Sequence, residues 1–237
     1  MKVKSLFLVF FCCAFFYGYS QEFSIGIKGG VNYSTIGDLY HHGNDSGLGT
    51  NVTPNDDTVF SAEKDLGTNF GVFALIDYER FYLKPEMVFT SLKNTFPLAY
   101  KDAEWTATRI DFPILFGYKF YNNFSVYAGP GFSIISDMEL TGPEQPITYD
   151  DSSINLNIGV AANFGIVGID VRYQYGISKV DEQRVDIDRG IYGTNIADLL
   201  EYNTGVFSVN VQLNIINFNS LRSSRGSKSG WRNHKNL

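Results

Sequence analysis

The sequence is poor in cysteine and in long apolar runs, and both absences narrow the possible classes of protein. Only two cysteines occur among 237 residues, Cys12 and Cys13, and both lie in the opening apolar stretch. The rest of the chain therefore has no thiol for a disulfide, a zinc ribbon or a thiol enzyme. Beyond the first twenty residues, no apolar run reaches the ~20 residues that a transmembrane helix needs, which excludes a helical membrane protein.

The opening segment has the pattern of an export signal. Lys2 and Lys4 precede an eleven-residue apolar run at 6–16, and small residues stand at positions 18 and 20. A charged start, a short apolar core and small residues at the end are typical of a secretory signal peptide. We predict that residues 1–20 are a signal peptide cleaved after Ser20, and that the mature chain is exported.

The rest of the chain is rich in aromatic residues and alternates apolar with polar side chains. There are 15 Tyr and 20 Phe, and aromatic residues make up 16% of the chain. From Phe23 to Tyr33 the apolar residues alternate with polar residues or glycine, and a period of two indicates a β-strand. The same alternation, weaker in three segments, predicts eight strands: 23–33, 68–78, 81–92, 106–120, 124–135, 154–165, 167–177 and a closing segment around 207–215.

The lengths of the connections predict the architecture. Long and tight connections alternate strictly along the chain: 34–67, 93–105, 136–153 and 178–204 are long, whereas 79–80, 121–123 and 165–166 are tight. Outer-membrane barrels have short periplasmic turns and long external loops. We therefore predict an all-β fold: an eight-stranded antiparallel up-and-down transmembrane barrel over residues 21–218, in the outer membrane of a Gram-negative bacterium. Side chains fill a lumen of this size, so we expect no general diffusion pore.

The polar face of the predicted strands carries charges of both signs. In a membrane barrel this face points inward, because the outer face must be apolar. An unpaired ion in a narrow lumen would be costly to desolvate. Nearly equal numbers of positive and negative side chains therefore suit a structural cluster inside the barrel. The candidates are Lys28, Lys84, Glu86, Arg109, Asp111, Lys119, Asp170 and Arg172, with Asp77 as a further one. Alternation alone leaves a second architecture open, a secreted or periplasmic eight-stranded barrel that binds an apolar ligand inside.

Five short motifs occur in order along the predicted barrel: IGIKGGVN at 25–32, YLKPEM at 82–87, IDFP at 110–113, YAGPG at 127–131 and VRYQYG at 171–176. Together they resemble the PorT-like outer-membrane β-barrel family of Bacteroidetes, porin-like small barrels of the OmpX and OmpA type. The resemblance implies an eight-stranded outer-membrane barrel, in a family mostly of unassigned role that is named after a member needed for protein secretion and gliding. It implies no catalytic residue and no cofactor.

The net charge of −6 hides two regions of opposite sign. Nineteen basic residues, less two in the signal and five in residues 219–237, leave 12 against 25 acidic residues over 21–218, a net charge of −13. We predict that 219–237 is a basic, disordered periplasmic tail. Six acids lie in 34–67 and five in 136–153. The acidic residues of the long loops are expected either to be simply solvated or to bind divalent cations, and the best ligand candidates are Asp186, Asp188 and the 55–57 segment.

Chemistry-bearing residues are scarce, so the predicted role is non-enzymatic. The only candidate for catalysis is His41-His42, near Asp38 and Ser46, and adjacent histidines in a Gly- and Asn-rich loop are more often solvated. A rim-site lipid-modifying enzyme stays open as an alternative. The expected partners are outer-membrane lipid and lipopolysaccharide, with an extracellular or periplasmic protein as a further possibility. No nucleic-acid patch and no cofactor or metal site is predicted.

Overall fold

A computed structural model of the chain describes residues 22–41, 58–143, 145–194 and 196–218. The predicted signal peptide, the basic tail, His42, Ser46 and the 55–57 segment lie outside these residues. No helix in the described part of the chain is long and apolar enough to span a membrane. The secondary structure consists of β1 (Glu22–Thr35), β2 (Leu39–His41), β3 (Thr58–Phe60), β4 (Glu63–Lys64), β5 (Gly67–Tyr78), β6 (Phe81–Phe96), β7 (Ala103–Tyr121), β8 (Phe124–Leu140), β9 (Ser152–Phe164), β10 (Val167–Val180), β11 (Gln183–Asp186), α1 (Arg189–Tyr192), β12 (Ile196–Leu199) and β13 (Tyr202–Asn217).

Eight of these strands form one closed antiparallel ring. Around the ring the order is β6, β5, β1, β13, β10, β9, β8 and β7, and β7 pairs again with β6. Each predicted strand overlaps one of these eight, so the predicted eight-stranded antiparallel barrel is confirmed. Closure leaves no long edge of unpaired backbone groups, which is what a strand that crosses lipid requires.

Three tight turns join neighbouring strands at one end of the ring, which we call the turn end. They have positive φ at Glu79 (51°), Asn122 (22°) and Gly165 (68°). Two-residue hairpin loops need such values because their twist must match that of the strands, and Gly and Asn tolerate them best. The opposite end carries the long connections and is called the loop end.

Most apolar side chains of the ring point outward, apart from a small inward cluster that includes Tyr82, Leu115 and Tyr127. Ile158 on β9 and Val211 on β13 are 58% and 52% exposed. Aromatic residues lie side by side toward the loop end, where Phe207 pairs with Tyr33 on one side and Tyr173 on the other. A barrel that bound an apolar ligand in water would have the reverse arrangement, with apolar residues inside. That alternative is therefore wrong for this ring.

The loop end is folded, which the sequence analysis did not predict. Four short strands form a second antiparallel sheet in the order β11-β12-β2-β3, drawn from two connections that were predicted as loops. We call the connections at this end the cap, meaning residues 36–41, 58–66, 97–102, 141–143, 145–151, 181–194 and 196–201. Leu39, Ala197 and Leu199 of the sheet are fully buried and belong to one apolar cluster with side chains from the ends of the ring strands.

The ring strands also extend further toward the cap than predicted. β6 continues to Phe96 and β7 begins at Ala103, so the connection between them has six residues rather than about thirteen. The reason is that Leu92, Phe96 and Trp105 occupy inward positions and pack into the apolar cluster of the cap. Burial of these side chains keeps the backbone in the ladder beyond the predicted ends.

Candidate functional site

A cluster of paired charges crosses the lumen at its middle. Glu86 on β6 accepts two hydrogen bonds from the guanidinium of Arg172 on β10, at 2.9 and 3.0 Å. The ammonium groups of Lys28 and Lys84 lie 3.1 and 3.0 Å from the same carboxylate. All four residues are buried. Since β6 and β10 stand four positions apart in a ring of eight, the Glu86–Arg172 pair spans the full width of the lumen.

Asp170 supplies the second carboxylate of this cluster. It is fully buried, it lies 3.5 Å from the Lys28 ammonium, and its carboxylate accepts hydrogen bonds from the Asn210 amide at 2.9 Å and from the Tyr127 hydroxyl. Tyr127 can reach this position because residue 159 on the facing strand is glycine: a Cβ there would lie 2.3 Å from the Tyr127 hydroxyl. The carboxylate is thus held from three directions.

A second buried pair lies nearer the loop end. Arg109 Nε is 3.1 Å from Asp111 Oδ1, and Arg109 Nη2 donates to Gln174 Oε1 at 2.9 Å. Asp111 also accepts hydrogen bonds from the hydroxyls of Thr90 and Ser133. The lumen is too narrow to hydrate these ions with water. Hydroxyl and amide side chains therefore supply the hydrogen bonds that water would otherwise make.

Lys119 lies apart from the other predicted cluster residues. It pairs with Asp77 at the turn end, where its side chain is 33% exposed. The reason is its position: Lys119 is two residues from the end of β7, whereas Glu86 and Arg172 occupy the middle of their strands. Seven of the eight predicted cluster residues are thus buried inside the ring, and the eighth is at the rim of a vestibule of about 580 Å³.

The buried charges leave little free space in the middle of the barrel. A void of about 20 Å³ lies against Lys28, Asp111 and Asn157. That volume is close to the minimum for one water molecule. Four carboxylates, counting Asp77, face five basic side chains, so the cluster is close to electrically neutral. We call this cluster the plug: each of its ions has a partner, and the described part of the lumen contains no cysteine or histidine.

Two of the residues proposed for catalysis or cation binding, His41 and Asp188, make contacts within the described chain. His41 was expected to be solvated in a loop, and this is wrong: it is buried in β2, and its Nδ1 lies 3.3 Å from the Ile196 carbonyl oxygen. It alternates with Tyr40, so it points into the cap where Leu39 does. Asp188 accepts a hydrogen bond from the Gly190 amide at 2.9 Å. No group of three or more metal-binding side chains occurs among the described residues.

Sequence reasoning missed the apolar core of the cap, although the sequence carries a signal for it. On β7, Arg109 and Asp111 face inward, and the preceding residues of the same parity are Ala107, Trp105 and Ala103. The inward face therefore changes from charged to apolar along a single strand. A change of this kind indicates that the strand leaves one environment and enters another.

Comparison with known proteins supports the architecture. A family model described as an outer membrane protein beta-barrel domain matches residues 19–182. No protein of curated function matches the chain. Among solved structures, the neisserial surface protein NspA is 13% identical, over 81% of this chain and 97% of that one, with a TM-score of 0.42. A FadL homologue of Pseudomonas aeruginosa is 14% identical, over 81% of this chain and 49% of that one, with a TM-score of 0.30.

Identities and TM-scores this low carry nothing about function. The family match covers well over half of the chain, and its description as a beta-barrel agrees with the closed antiparallel ring. The chain therefore belongs to the family of outer membrane proteins with a beta-barrel domain.

Proposed function

We propose that this protein is a closed, non-enzymatic barrel that anchors a folded, acidic cap at the outer surface of the outer membrane, where the cap binds a basic partner. The barrel serves as the anchor and scaffold, and the cap as the interaction surface. The resemblance to PorT-like barrels supports this general role and assigns no part in secretion.

The observation that carries the proposal is the ion pair across the lumen. Glu86 and Arg172 come from opposite strands, and Lys28, Lys84 and Asp170 surround them. A solute passing through would have to break these contacts and leave buried ions unpaired, which is strongly unfavourable. A barrel closed in this way contributes a stable span, so specific function falls to the parts outside the membrane.

The cap has the charge of an interaction surface. Its residues include twelve acids against four bases. Outer-membrane barrels have their longer loops outside the cell, and on this ground we assign the cap to the cell surface and the turn end to the periplasm. A field of one sign steers oppositely charged partners and weakens with salt. A basic protein surface is therefore the favoured partner.

The closed lumen can be tested by reconstituting the purified protein in a planar lipid bilayer. We expect no stable conductance steps, with a general porin reconstituted in parallel as the positive control. Glu86→Gln removes one charge from the plug and should increase the frequency of transient openings if the protein stays folded. Steady, porin-sized conductance of the wild type would contradict the closed-barrel proposal.

The role of the cap can be tested by complementation of a deletion strain. Asp102, Asp151 and Asp186 are exposed on three different segments of the cap, so a triple Asp→Asn variant lowers its charge without touching the apolar core. The matched control carries Asp→Glu at the same positions and keeps the charge. We expect the control to restore the proteomes of the outer membrane and the secreted fraction, and the Asn variant to fail. Equal complementation by both variants would rule out a role for the negative charge of the cap.

A further inference from the structure

A cavity of about 230 Å³ lies at the loop end, between the barrel and the cap. It forms where two neighbouring strands differ in length: β8 continues to Leu140, whereas its ladder with β9 ends at the Ile134–Ser152 pair. Residues 135–140 of β8 therefore have no β9 neighbour, and a gap opens in the wall of the barrel. The cavity lies behind this gap.

A short strap closes the gap. Residues 147–151 cross it, and the Ile135 amide donates to the Asp151 carbonyl oxygen at 2.8 Å. Further along the strap, the Thr148 amide donates to Gln183 Oε1 at 2.7 Å, and Gln183 Nε2 donates back to the Thr148 carbonyl oxygen at 3.1 Å. The two hydrogen bonds between Thr148 and Gln183 are exposed, whereas Ile147, at the start of the strap, is buried in the apolar cluster. A solute can therefore reach the cavity from the outer medium by displacing the Thr148–Gln183 contact while Ile147 stays packed.

The lining changes character from the floor to the mouth. Arg109 and Gln174 form the polar floor, and Trp105 and Met138 belong to an apolar wall. The mouth carries three carboxylates, those of Asp150, Asp181 and Glu182, and one ammonium group, that of Lys179, which is paired with Glu201. The volume and the mixture of apolar walls with a few polar groups are typical of a small-molecule site, although at the lower end of the usual size range.

Two side chains that line this cavity have N–H groups that can take a further hydrogen-bond acceptor. Trp105 is only 1% exposed, and its Nε1 has no acceptor among the described residues. A buried indole N–H normally finds a partner. Arg109 has five N–H donors, and its contacts to described residues are the hydrogen bond to Gln174 and the ion pair with Asp111. Both residues therefore have capacity for an acceptor that enters the cavity.

We propose that this cavity binds a small amphipathic molecule that has a hydrogen-bond acceptor at its inner end, an apolar body and a cationic group at its outer end. A carboxylate or carbonyl at the inner end would satisfy Arg109 and the Trp105 indole. An apolar body matches the wall, and the carboxylates at the mouth favour a cation there and disfavour a net anion. A linear ω-amino acid has this order of groups.

The indole N–H of Trp105 provides a direct readout. The chain has two tryptophans, so Trp231→Phe leaves Trp105 as the only one. In ¹⁵N-labelled protein in detergent micelles, we expect millimolar 6-aminohexanoate to move the Trp105 indole proton resonance downfield in a saturable manner. Hexanoate, which lacks the cation, and hexylamine, which lacks the acceptor, should each bind at least about tenfold more weakly, since a lost charged contact of ~1.4 kcal/mol is a factor of ten.

Variants then assign the response to the cavity. Arg109→Gln should weaken the binding of 6-aminohexanoate by about tenfold or more, and Lys93→Gln, at an exposed ion pair that does not line the cavity, should leave it unchanged. If Arg109→Gln fails to fold, Met138→Phe offers a second route, because the larger side chain fills the cavity and should abolish the response. The proposal is overturned if the resonance responds to none of the three probes, which would mean a cavity holding water only. It is equally overturned if the three probes act alike, or if Met138→Phe responds as the wild type does.

Discussion

The barrel and the cap have opposite interiors, although the same ring strands contribute side chains to both. In the barrel, ions and amides fill the inside and apolar side chains cover the outside. Inside the cap, an apolar cluster forms in which Phe96 and Trp105 at the ends of ring strands pack with side chains of the cap, and eleven of the twelve acidic residues of the cap are at least partly exposed. The change occurs on β7 between Arg109 and Ala107. One continuous alternation of side chains thus serves two solvents, lipid around the barrel and water around the cap.

The difference shows what each interior depends on. The apolar core of the cap is stabilised by removing surface from water, a contribution that adds up over many contacts. The barrel gains less of this kind from its interior, because most of its apolar residues face lipid and its inner apolar cluster is small, with Tyr82, Leu115, Tyr127 and Ala161. Its lumen must instead satisfy every buried ion and amide. Loss of one partner should therefore harm the barrel through an uncompensated charge, and harm the cap through an empty space.

The largest effect is expected from removing the central carboxylate of the barrel. Glu86→Gln leaves Lys28, Lys84 and Arg172 with one counter-charge fewer, and breaking a buried pair typically costs about 3–5 kcal/mol. We expect this loss in urea unfolding of the folded protein in detergent, followed by the mobility of unboiled samples on gels. Glu104→Gln is the control, since Glu104 pairs with Lys93 at the surface and an exposed pair contributes about 0–1 kcal/mol. Equal losses in the two variants would show that the lumen ions are not held as described.

A truncation in the apolar cluster should affect the cap while leaving the barrel closed. Phe96 is fully buried there, and Phe→Ala in a core costs about 3–5 kcal/mol. We expect Phe96→Ala to make the cap segments sensitive to thermolysin while the barrel keeps its gel mobility. Val59→Ala, at an exposed position of β3, is the control and should digest at the wild-type rate. If Phe96→Ala instead unfolded the barrel at low urea concentration, the two regions would not be separate in stability.

A charge placed on each of the two outer surfaces should distinguish the surface that contacts lipid from the surface that contacts water. Ile158 on the barrel and Val59 on the cap are similarly exposed, at 58% and 52%. Arginine at the middle of a lipid-facing strand costs about 2–4 kcal/mol. A surface substitution in water changes stability by about 0.5 kcal/mol or less. We therefore expect Ile158→Arg, and not Val59→Arg, to lower the unfolding midpoint in phospholipid vesicles. Similar midpoints for the two variants would mean that the apolar face of β9 does not contact lipid.

The eight strands could be predicted because the period of two persists wherever one face meets lipid. The cap could not be predicted from the composition of its loops, which are rich in acids, Gly and Asn like many solvated loops. Its signal was the apolar residues at inward positions beyond the predicted strand ends, such as Phe96 and Trp105. The cap sheet itself joins β2 with β12, about 155 residues apart, and no local pattern specifies that pairing.

The candidate charges of the lumen could likewise be selected by parity, but their partners could not. Arg172 and Glu86 are 86 residues apart, and they meet only because ring closure places β10 opposite β6. The depth of each charged residue along the lumen could not be predicted from the sequence either. Lys119 has the same parity as Arg109 on the same strand, yet it lies at the turn end beside Asp77. Parity identifies the face of a strand, and the level on that face depends on where the strand begins and ends.

The smallest effect is expected from this outermost pair, and it tests how far the buried cluster extends. Lys119→Gln removes a partly exposed contact to Asp77, so we expect a loss of about 1 kcal/mol or less that shrinks as salt is added. Lys28→Gln removes the same charge from the middle of the lumen, where the side chain is almost fully buried between Glu86 and Asp170, and should cost several times more with little dependence on salt. The measurement is urea unfolding at low and high ionic strength in one detergent. Because the two substitutions are chemically identical, a difference between them reports depth alone. Lys119→Gln could instead match Lys28→Gln in its loss of unfolding free energy and in its insensitivity to salt. The turn-end vestibule would then be as dry as the centre, and the plug would extend from the middle of the lumen to the turn end.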